Sequence, residues 1–242
     1  MALWGPAAAV LEAIYPPRCV ACEGPVSAWA EALCPPCHDT IEPVPAARCA
    51  ICGLPFESAE GGERPCGDCA AAPPAYAAAR AGALYGGALE DALRAFKFGR
   101  RRDLAGYLVT ETLRPLPEGI EGAESDLVVP VPLGRQRLRE RRYDQAWLLA
   151  RVLARELGLA AAPRALRRLR DTAPQTSLSA KARAENVRSA FAAGEVPGGL
   201  AGRRVLLVDD VMTTGATLSE CARTLVAAGA AEVRAVTVAR AI

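Results

Sequence analysis

The chain has 242 residues, 29 Lys and Arg against 27 Asp and Glu, and a formal charge of +2, so bulk charge draws it to neither nucleic acid nor a membrane surface. With 51% hydrophobic residues it has material for one large core or two smaller ones, which excludes disorder as the main state. No apolar run approaches the roughly 20 residues that cross a bilayer, so no membrane insertion is expected.

Charge is uneven along the chain. Residues 1–80 carry four basic and nine acidic side chains, and residues 81–242 carry 25 and 18. Two domains are expected, a small one over 1–74 and a larger one over 75–242. Residues 1–17 are apolar but lack a charged leader region, and Pro-Pro-Arg-Cys stands where a small-residue cleavage site would be needed. This stretch reads as a short helix covering part of the first domain, and a cytoplasmic protein is expected.

Eight of the nine cysteines form four Cys-x-x-Cys pairs: Cys19 and Cys22, Cys34 and Cys37, Cys49 and Cys52, Cys66 and Cys69. A pair at this spacing sits on one tight turn with both sulfurs aimed at one cation, and two such knuckles complete a tetrahedral Zn²⁺ site. The gaps between pairs are 11, 11 and 13 residues, so the eight thiols suit a double zinc ribbon holding two structural zinc ions. The spacing leaves open whether neighbouring or alternate pairs share a metal. Disulfides would need an oxidising compartment, and a redox motif would occur once beside a βαβ pattern. Four-thiolate sites are closed, so this domain is expected to do no chemistry. His38, the only histidine, reads as a surface neighbour of its cluster.

Residues 70–79, Ala-Ala-Ala-Pro-Pro-Ala-Tyr-Ala-Ala-Ala, mark the domain boundary. Residues 88–116 carry Leu89, Leu93, Phe96, Leu104, Leu108 and Leu113 at helical spacing around an Arg100-Arg101-Arg102 run, which predicts two short helices joined by a basic turn. Residues 127–131 and 205–208 read as buried parallel strands. Helical patterns follow each, over 145–157 and 218–228, the second stopped by Gly229, and a further strand covers 233–238. Alternating strand and helix predicts an α/β domain with a mostly parallel sheet flanked by helices, whose ligand binds beyond the carboxyl ends of the strands.

The densest chemistry is VLLVDDVMTTGATL at 205–218. A buried strand delivers Asp209 and Asp210 to the sheet edge, and the turn Thr213-Thr214-Gly215-Ala216-Thr217 runs into a helix, where amides and hydroxyls can ring a phosphate. Adjacent carboxylates accept hydrogen bonds from vicinal sugar hydroxyls or help hold Mg²⁺. A sugar phosphate satisfies both halves. The lysine pattern of a P-loop is missing. Cys221, one turn into the helix, reads as a small buried hydrophobe.

Strand-Asp-Asp-x-x-Thr-Thr-Gly-x-Thr resembles the phosphoribosyl-pyrophosphate (PRPP) motif of type I phosphoribosyltransferases. With the cysteine pairs, Phe96-Lys97-Phe98-Gly99, VVPVPLGRQRLRERRYDQAWLLAR at 128–151 and DTAPQTSLSAKARAENVRSAF at 171–191, the whole chain resembles the ComF family. The resemblance implies that Asp209 and Asp210 bind the ribose hydroxyls as the catalytic acidic pair. It implies that Thr213, Thr214, Gly215, Ala216 and Thr217 wrap the 5′-phosphate. It places Val131, Pro132, Leu133, Gly134 and Arg135 in a pyrophosphate-binding turn, with Mg²⁺ bridging the pyrophosphate. Arg137, Arg139, Arg141 and Arg142 suit anionic oxygens of the ligand or of nucleic acid. The segment from Gln175 through Arg183 to Asn186 corresponds to a mobile flap that shields the reaction from water.

Two departures stand out. The family pattern Arg-Gly-Phe-Asn-Gln-Ala is Arg141-Arg142-Tyr143-Asp144-Gln145-Ala146 here, with Arg in place of Gly and a carboxylate in place of an amide. Purine-salvage transferases often carry an acid where this chain has Thr213, which argues against a 6-oxopurine. Ribosyl transfer needs a polarised leaving group and an oriented nucleophile more than a strong base, so the shortage of histidine is no obstacle.

The resemblance implies an Mg²⁺-dependent phosphoribosyltransferase linked to DNA uptake in natural competence, working with DNA-uptake proteins. The alternative is a non-catalytic handler of single-stranded DNA, or a scaffold, that retains the PRPP site. Residues 135–142 hold five Arg against one Glu, and 164–188 hold seven basic against two acidic side chains, whereas aromatics there are few (Tyr143, Trp147, Phe191). Base stacking is thinly provisioned in those loops. The acceptor and the oligomeric state are left open.

Overall fold

A computed structural model describes residues 16–27, 31–57, 64–114, 116–120, 124–171 and 180–242. The helix expected over 1–17 falls almost wholly outside them. In chain order the elements are α1 (Pro35–His38), α2 (Gly67–Ala71), β1 (Ala78–Leu84), α3 (Gly87–Phe98) and α4 (Leu104–Leu108), which continues into a π-helical turn, Val109–Leu113. Next come β2 (Leu127–Pro130), α5 (Arg135–Arg141), α6 (Gln145–Leu157), β3 (Ala160–Ala161), β4 (Leu166–Arg168), α7 (Ala180–Val187), β5 (Phe191–Ala193), β6 (Arg204–Met212), α8 (Ala216–Ala227) and β7 (Glu232–Arg240).

Five strands form a parallel sheet in the order β1-β7-β6-β2-β3, and β4 and β5 make a small antiparallel ribbon. The period-2 alternation of strands sorts the apolar residues onto two faces. Leu127, Val129, Val205, Leu207 and Val233 pack with Leu218, Ala222 and Leu225 of α8. Val128, Leu206, Val208, Val236 and Val238 pack with Leu89, Leu93 and Phe96 of α3, Leu108 of α4, and Leu149 and Leu153 of α6. Both faces are covered, which is why these strands read as unbroken apolar runs.

The expected helix over 145–157 is present with those bounds, capped by Asp144, whose carboxylate accepts from the Trp147 amide at 3.0 Å, and closed by Gly158 in the left-handed region. Strand β6 runs past 208 to Met212 because β7 pairs with it as far as Arg240, so Asp209 and Asp210 lie within the strand.

Strand β1 starts inside the segment that the sequence marks as a linker. Its small residues answer to a close neighbour: a Cβ on Gly82 would lie 1.8 Å from the carbonyl oxygen of Thr112 in the π-helical turn. The cysteine-rich region covers the β1 edge. The Ala79 amide donates to Ile51 O (2.7 Å) and the Leu84 amide to Glu42 O (2.8 Å), while the buried Arg80 guanidinium donates to Ala50 O (2.9 Å) and Ala79 O (3.0 Å). An uncovered edge would present unpaired backbone groups for aggregation, so the ribbon completes the sheet.

The two knuckle groups pack against opposite faces. Cys19 and Cys34 belong to the apolar cluster of α3, α4 and α6, and Cys49, Cys52 and Cys69 to that of α8. Among the described residues no helix is long and apolar enough to cross a membrane.

Candidate functional site

The strand order places the site. Chain leaving β2 turns outward to β3 through α5 and α6, and chain leaving β6 turns the other way to β7 through α8. Their carboxyl ends therefore diverge and open a crevice at the switch point. A cavity of about 610 Å³ fills it, lined by Val131, Pro132 and Leu133 after β2, Asp209 and Asp210 of β6, and Thr213, Gly215, Ala216 and Thr217 at the start of α8.

The turn before α8 depends on one glycine. Gly215 sits at φ +77° as the residue before α8, and a Cβ there would lie 2.6 Å from Met212 Cε and 2.7 Å from the Tyr76 hydroxyl. Only glycine takes this turn without strain, and it brings the first amides of a 12-residue helix, with their positive field, to the cavity. Thr214 is exposed and its hydroxyl accepts from the Ala216 amide at 3.4 Å.

The two carboxylates have different surroundings. The Asp210 amide donates to Asp209 Oδ1 at 2.8 Å. Burial pushes the Asp209 carboxyl up to about 7, the Asp210 charge adds to the rise, and the Asp210 amide and Lys97 oppose it. Asp210 meets cations: Lys97 Nζ lies 3.1 Å from Oδ1 and Arg141 Nη1 4.0 Å from Oδ2.

In the turn after β2, Gly134 caps α5 and Arg135 is its first residue, exposed. A Cβ on Gly134 would lie 2.2 Å from Asp171 Oδ1. The Leu133 amide donates to Asp144 Oδ2 at 3.4 Å and the Gln136 amide to both oxygens of Asp171 at 3.3 Å, so two carboxylates hold amides of this turn. Burial raises the Asp144 carboxyl, and the Trp147 and Leu133 amides oppose the rise.

The arginine series is a helix, α5, and its periodicity divides it. Arg137 and Arg141 line the cavity, whereas Arg135, Arg139 and Arg142 are absent from its lining, and Arg135 and Arg139 are exposed. Arg142 stands in the left-handed region at φ 65°, the conformation that suits the glycine of the family pattern, and Asp144 caps α6 as the family's amide could. Gln175 lies outside the described residues. Arg183 and Asn186 fall on α7, which packs beside α8, and Asn186 is not among the residues that line the cavity.

Sequence reasoning missed the part played by α3. Lys97 and Phe98 at its end line the cavity together with Tyr85 and Arg168. No spacing rule links Lys97 to Asp210, because only the tertiary fold brings α3 over β6. The signal present was the Phe96-Lys97-Phe98-Gly99 segment, which carries the family resemblance without a role attached.

The cysteines close two groups by neighbouring pairs, Cys19, Cys22, Cys34 and Cys37, and Cys49, Cys52, Cys66 and Cys69, each with all sulfurs within 4.8 Å of one another. Tetrahedral zinc at about 2.3 Å from each sulfur sets the sulfurs about 3.8 Å apart. Cys22 and Cys34 are 3.5 Å apart and Cys52 and Cys66 3.8 Å, so both groups fit the ion. Burial pushes the Cys49 thiol up, but amides of Cys52 and Cys66 more than offset it and hold it down at about 6, ready to bind metal as thiolate. His38 stands aside, its Nε2 3.0 Å from Glu111 Oε2. Cys221 is fully buried in α8.

A double zinc ribbon domain model matches residues 10–70, and a phosphoribosyl transferase domain model matches residues 144–242. The chain is 33% identical over 222 residues to the DNA utilization protein YhgH of Escherichia coli, covering 90% of this chain and 95% of that protein. It is 31% identical over 228 residues to competence protein F of Haemophilus influenzae, covering 93% and 97%. A solved glutamine phosphoribosylpyrophosphate amidotransferase from B. subtilis, complexed with ADP and GMP, matches at 26% identity and a TM-score of 0.35, over 57% of this chain and 26% of that one. The structural zinc ribbon, the parallel sheet with its switch-point cavity and the two curated relatives together make the chain a member of the ComF family, with a phosphoribosyltransferase-like domain behind a double zinc ribbon.

Proposed function

We propose that this chain binds PRPP, or a closely related sugar phosphate, with Mg²⁺ in the cavity between β2 and β6, and that the site serves the handling of single-stranded DNA. One observation carries the ligand: the acidic pair, the turn before α8 and the turn after β2 all open on the same cavity of about 610 Å³. That volume suits one small-molecule ligand. In this reading Asp209 and Asp210 accept from the ribose hydroxyls, residues 213–217 receive the 5′-phosphate, and residues 131–135 receive the pyrophosphate, which displaces Asp171 from the Gln136 amide.

The donor set fits Mg²⁺, a hard cation that takes one or two carboxylates and completes its shell with substrate phosphates and water. When bound it neutralises the leaving pyrophosphate. Lys97 and Arg141 balance the Asp210 charge until the ligand arrives. Titration of the zinc-loaded protein with Mg²⁺ and PRPP is expected to give saturable heat, and an Asp209→Asn/Asp210→Asn variant to lose roughly 100-fold or more in affinity, the scale of two charge-assisted hydrogen bonds. Equal binding by both proteins, or none by the wild type, contradicts the assignment.

The DNA part rests on the relatives, named for DNA utilization and competence, and on the arginines of the α5 segment that face away from the cavity. Changing Arg139 and Arg142 to Ala is expected to weaken single-stranded DNA binding and to flatten its salt dependence by about 1.4 units of log–log slope, with PRPP binding unchanged. DNA binding that ignores these substitutions removes α5 from the nucleic-acid surface. Arg137 and Arg141 are the wrong probes for this, because they line the small-ligand cavity.

A further inference from the structure

The seam between the zinc ribbon and the edge strand β1 holds a second cavity, of about 350 Å³, which shares no lining residue with the one between β2 and β6. Three arginines line it: Arg48 of the ribbon, Arg80 of β1, and Arg114 just after the π-helical turn. Two acids also line it, Glu111 and Glu118, but Glu111 Oε2 lies 3.0 Å from His38 Nε2. Arginine is seldom buried unless something meets its charge, and Arg48 is 7% exposed and Arg80 4%. Arg80 spends its donors on carbonyls, among them Glu118 O at 3.1 Å and Ala50 O at 2.9 Å, and so is a fixed part of the wall. Arg48 is placed differently. Its Nη1 donates to Pro45 O at 3.2 Å and its Nη2 to Glu118 Oε2 at 2.9 Å, whereas Nε is buried with no hydrogen-bond partner among the described residues. Nε and Nη2 share one edge of the guanidinium, the fork that matches two oxygens of an oxyanion. Glu118 fills half of that edge from a side chain that is 81% exposed, and the unmade half costs free energy.

We propose that this seam cavity is an oxyanion site, that its ligand is a small phosphate dianion, and that the Glu118 carboxylate is the stand-in which swings out to water when phosphate enters. The tether selects the class. A free monocarboxylate offers Arg48 only what Glu118 already offers, and Glu118 does so at the high effective concentration of a short tether. A phosphate dianion brings a second charge and more oxygens: two take the Nε and Nη2 edge of Arg48, and the remaining charge faces Arg80 and Arg114 on the wall. The ligand then joins a ribbon side chain to side chains of the larger domain, so the site exists only while the two are docked.

The test titrates the zinc-loaded full chain with inorganic phosphate and with acetate at pH 8 by calorimetry, as wild type, Glu118→Gln and Arg48→Lys. Glu118→Gln uncovers the fork and is expected to bind phosphate roughly fivefold tighter than wild type, the scale on which an exposed ion pair holds its partner. Arg48→Lys keeps the buried charge but loses the fork, and is expected to bind phosphate roughly tenfold more weakly, the scale of one charge-assisted hydrogen bond. Acetate is expected to bind wild type roughly tenfold or more weakly than phosphate does. Phosphate affinity unchanged in Glu118→Gln overturns the proposal, because phosphate is then held elsewhere, as in the cavity between β2 and β6, which Glu118 does not line. So does a tightening that Mg²⁺ and PRPP share equally, which is a general effect of charge, and so does acetate binding as tightly as phosphate. No phosphate binding at millimolar concentration by wild type or Glu118→Gln overturns it too. If Arg48→Lys does not fold, Glu118→Gln decides alone, since it changes an exposed side chain. If PRPP does not bind, the sugar-phosphate reading fails by itself and the phosphate and acetate titrations still decide this one.

Discussion

Cys52→Ser is expected to unfold the parallel sheet along with the zinc ribbon. Cys49, Cys52 and Cys69 share an apolar cluster with Leu127, Val129 and Leu207 of the sheet, and Arg240 at the end of β7 donates to Cys52 O at 3.1 Å. The ribbon also holds the edge amides of Ala79 and Leu84. A structural zinc site contributes about 10–16 kcal/mol of apparent folding free energy. A whole domain is stable by only about 5–15 kcal/mol. Loss of one thiolate from the second site therefore removes a quantity comparable to all the stability available. Circular dichroism should show one cooperative transition for the zinc-loaded wild type and no folded baseline for the variant at 37 °C. Complete unfolding with a chelator should release two zinc ions per chain. A variant that keeps its sheet signal and its thermal transition contradicts this coupling, since it makes the ribbon a separable bead.

Asp209→Asn is expected to stabilise the ligand-free protein while it weakens sugar-phosphate binding. Burial raises the Asp209 carboxyl from the ordinary aspartate value of 3.8 to about 7. The folded state therefore holds that proton more tightly than the unfolded chain does. Below pH 4 both states are protonated and the group costs nothing. Its destabilisation builds between pH 4 and 7 and is constant above 7. A rise of that size corresponds to at most about 4 kcal/mol, and partial exposure to water reduces that to the order of 2 kcal/mol. The variant should melt about 4–8 °C higher than wild type at pH 8, the equivalent of that energy for a chain of this size. The two proteins should melt together at pH 4. A melting temperature at pH 8 no higher than wild type contradicts the burial of charge at this position. In the sugar-phosphate reading, the carboxylate that costs the ligand-free site stability is the one that accepts from the ribose hydroxyls.

Much of this was legible in the residues, for identifiable reasons. The run Val205 to Val208 followed by two acids and a Thr-Thr-Gly-Ala-Thr turn has no structural use that needs all of its parts together, so strand, site and helix start could be placed from it. The eight thiols at fixed spacing declared two metal sites but not their pairing, which depends on how the knuckles fold back and which the sulfur positions supply. Strand β1 was hidden because its residues answer to neighbours distant in sequence: Gly82 to Thr112, and Arg80 to carbonyls of the ribbon. The basic series at 135–142 looked like a loop because its charge outweighed its single apolar residue, Leu138, while the helix it forms sends some arginines into the cavity and others out to solvent. Lys97 and Phe98 stand in a recognisable segment but could not be placed, because nothing local connects α3 to the end of β6.

A crystal structure of the zinc-loaded protein with Mg²⁺ and PRPP would decide most directly whether the cavity between β2 and β6 is a sugar-phosphate site. The 5′-phosphate is expected on the Thr213 to Thr217 turn, the ribose hydroxyls on Asp209 and Asp210, and the pyrophosphate on the turn from Val131 to Arg135, with Asp171 moved off the Gln136 amide. Density for the ligand anywhere else, with Lys97 still paired to Asp210 and the cavity filled by water, would contradict that assignment.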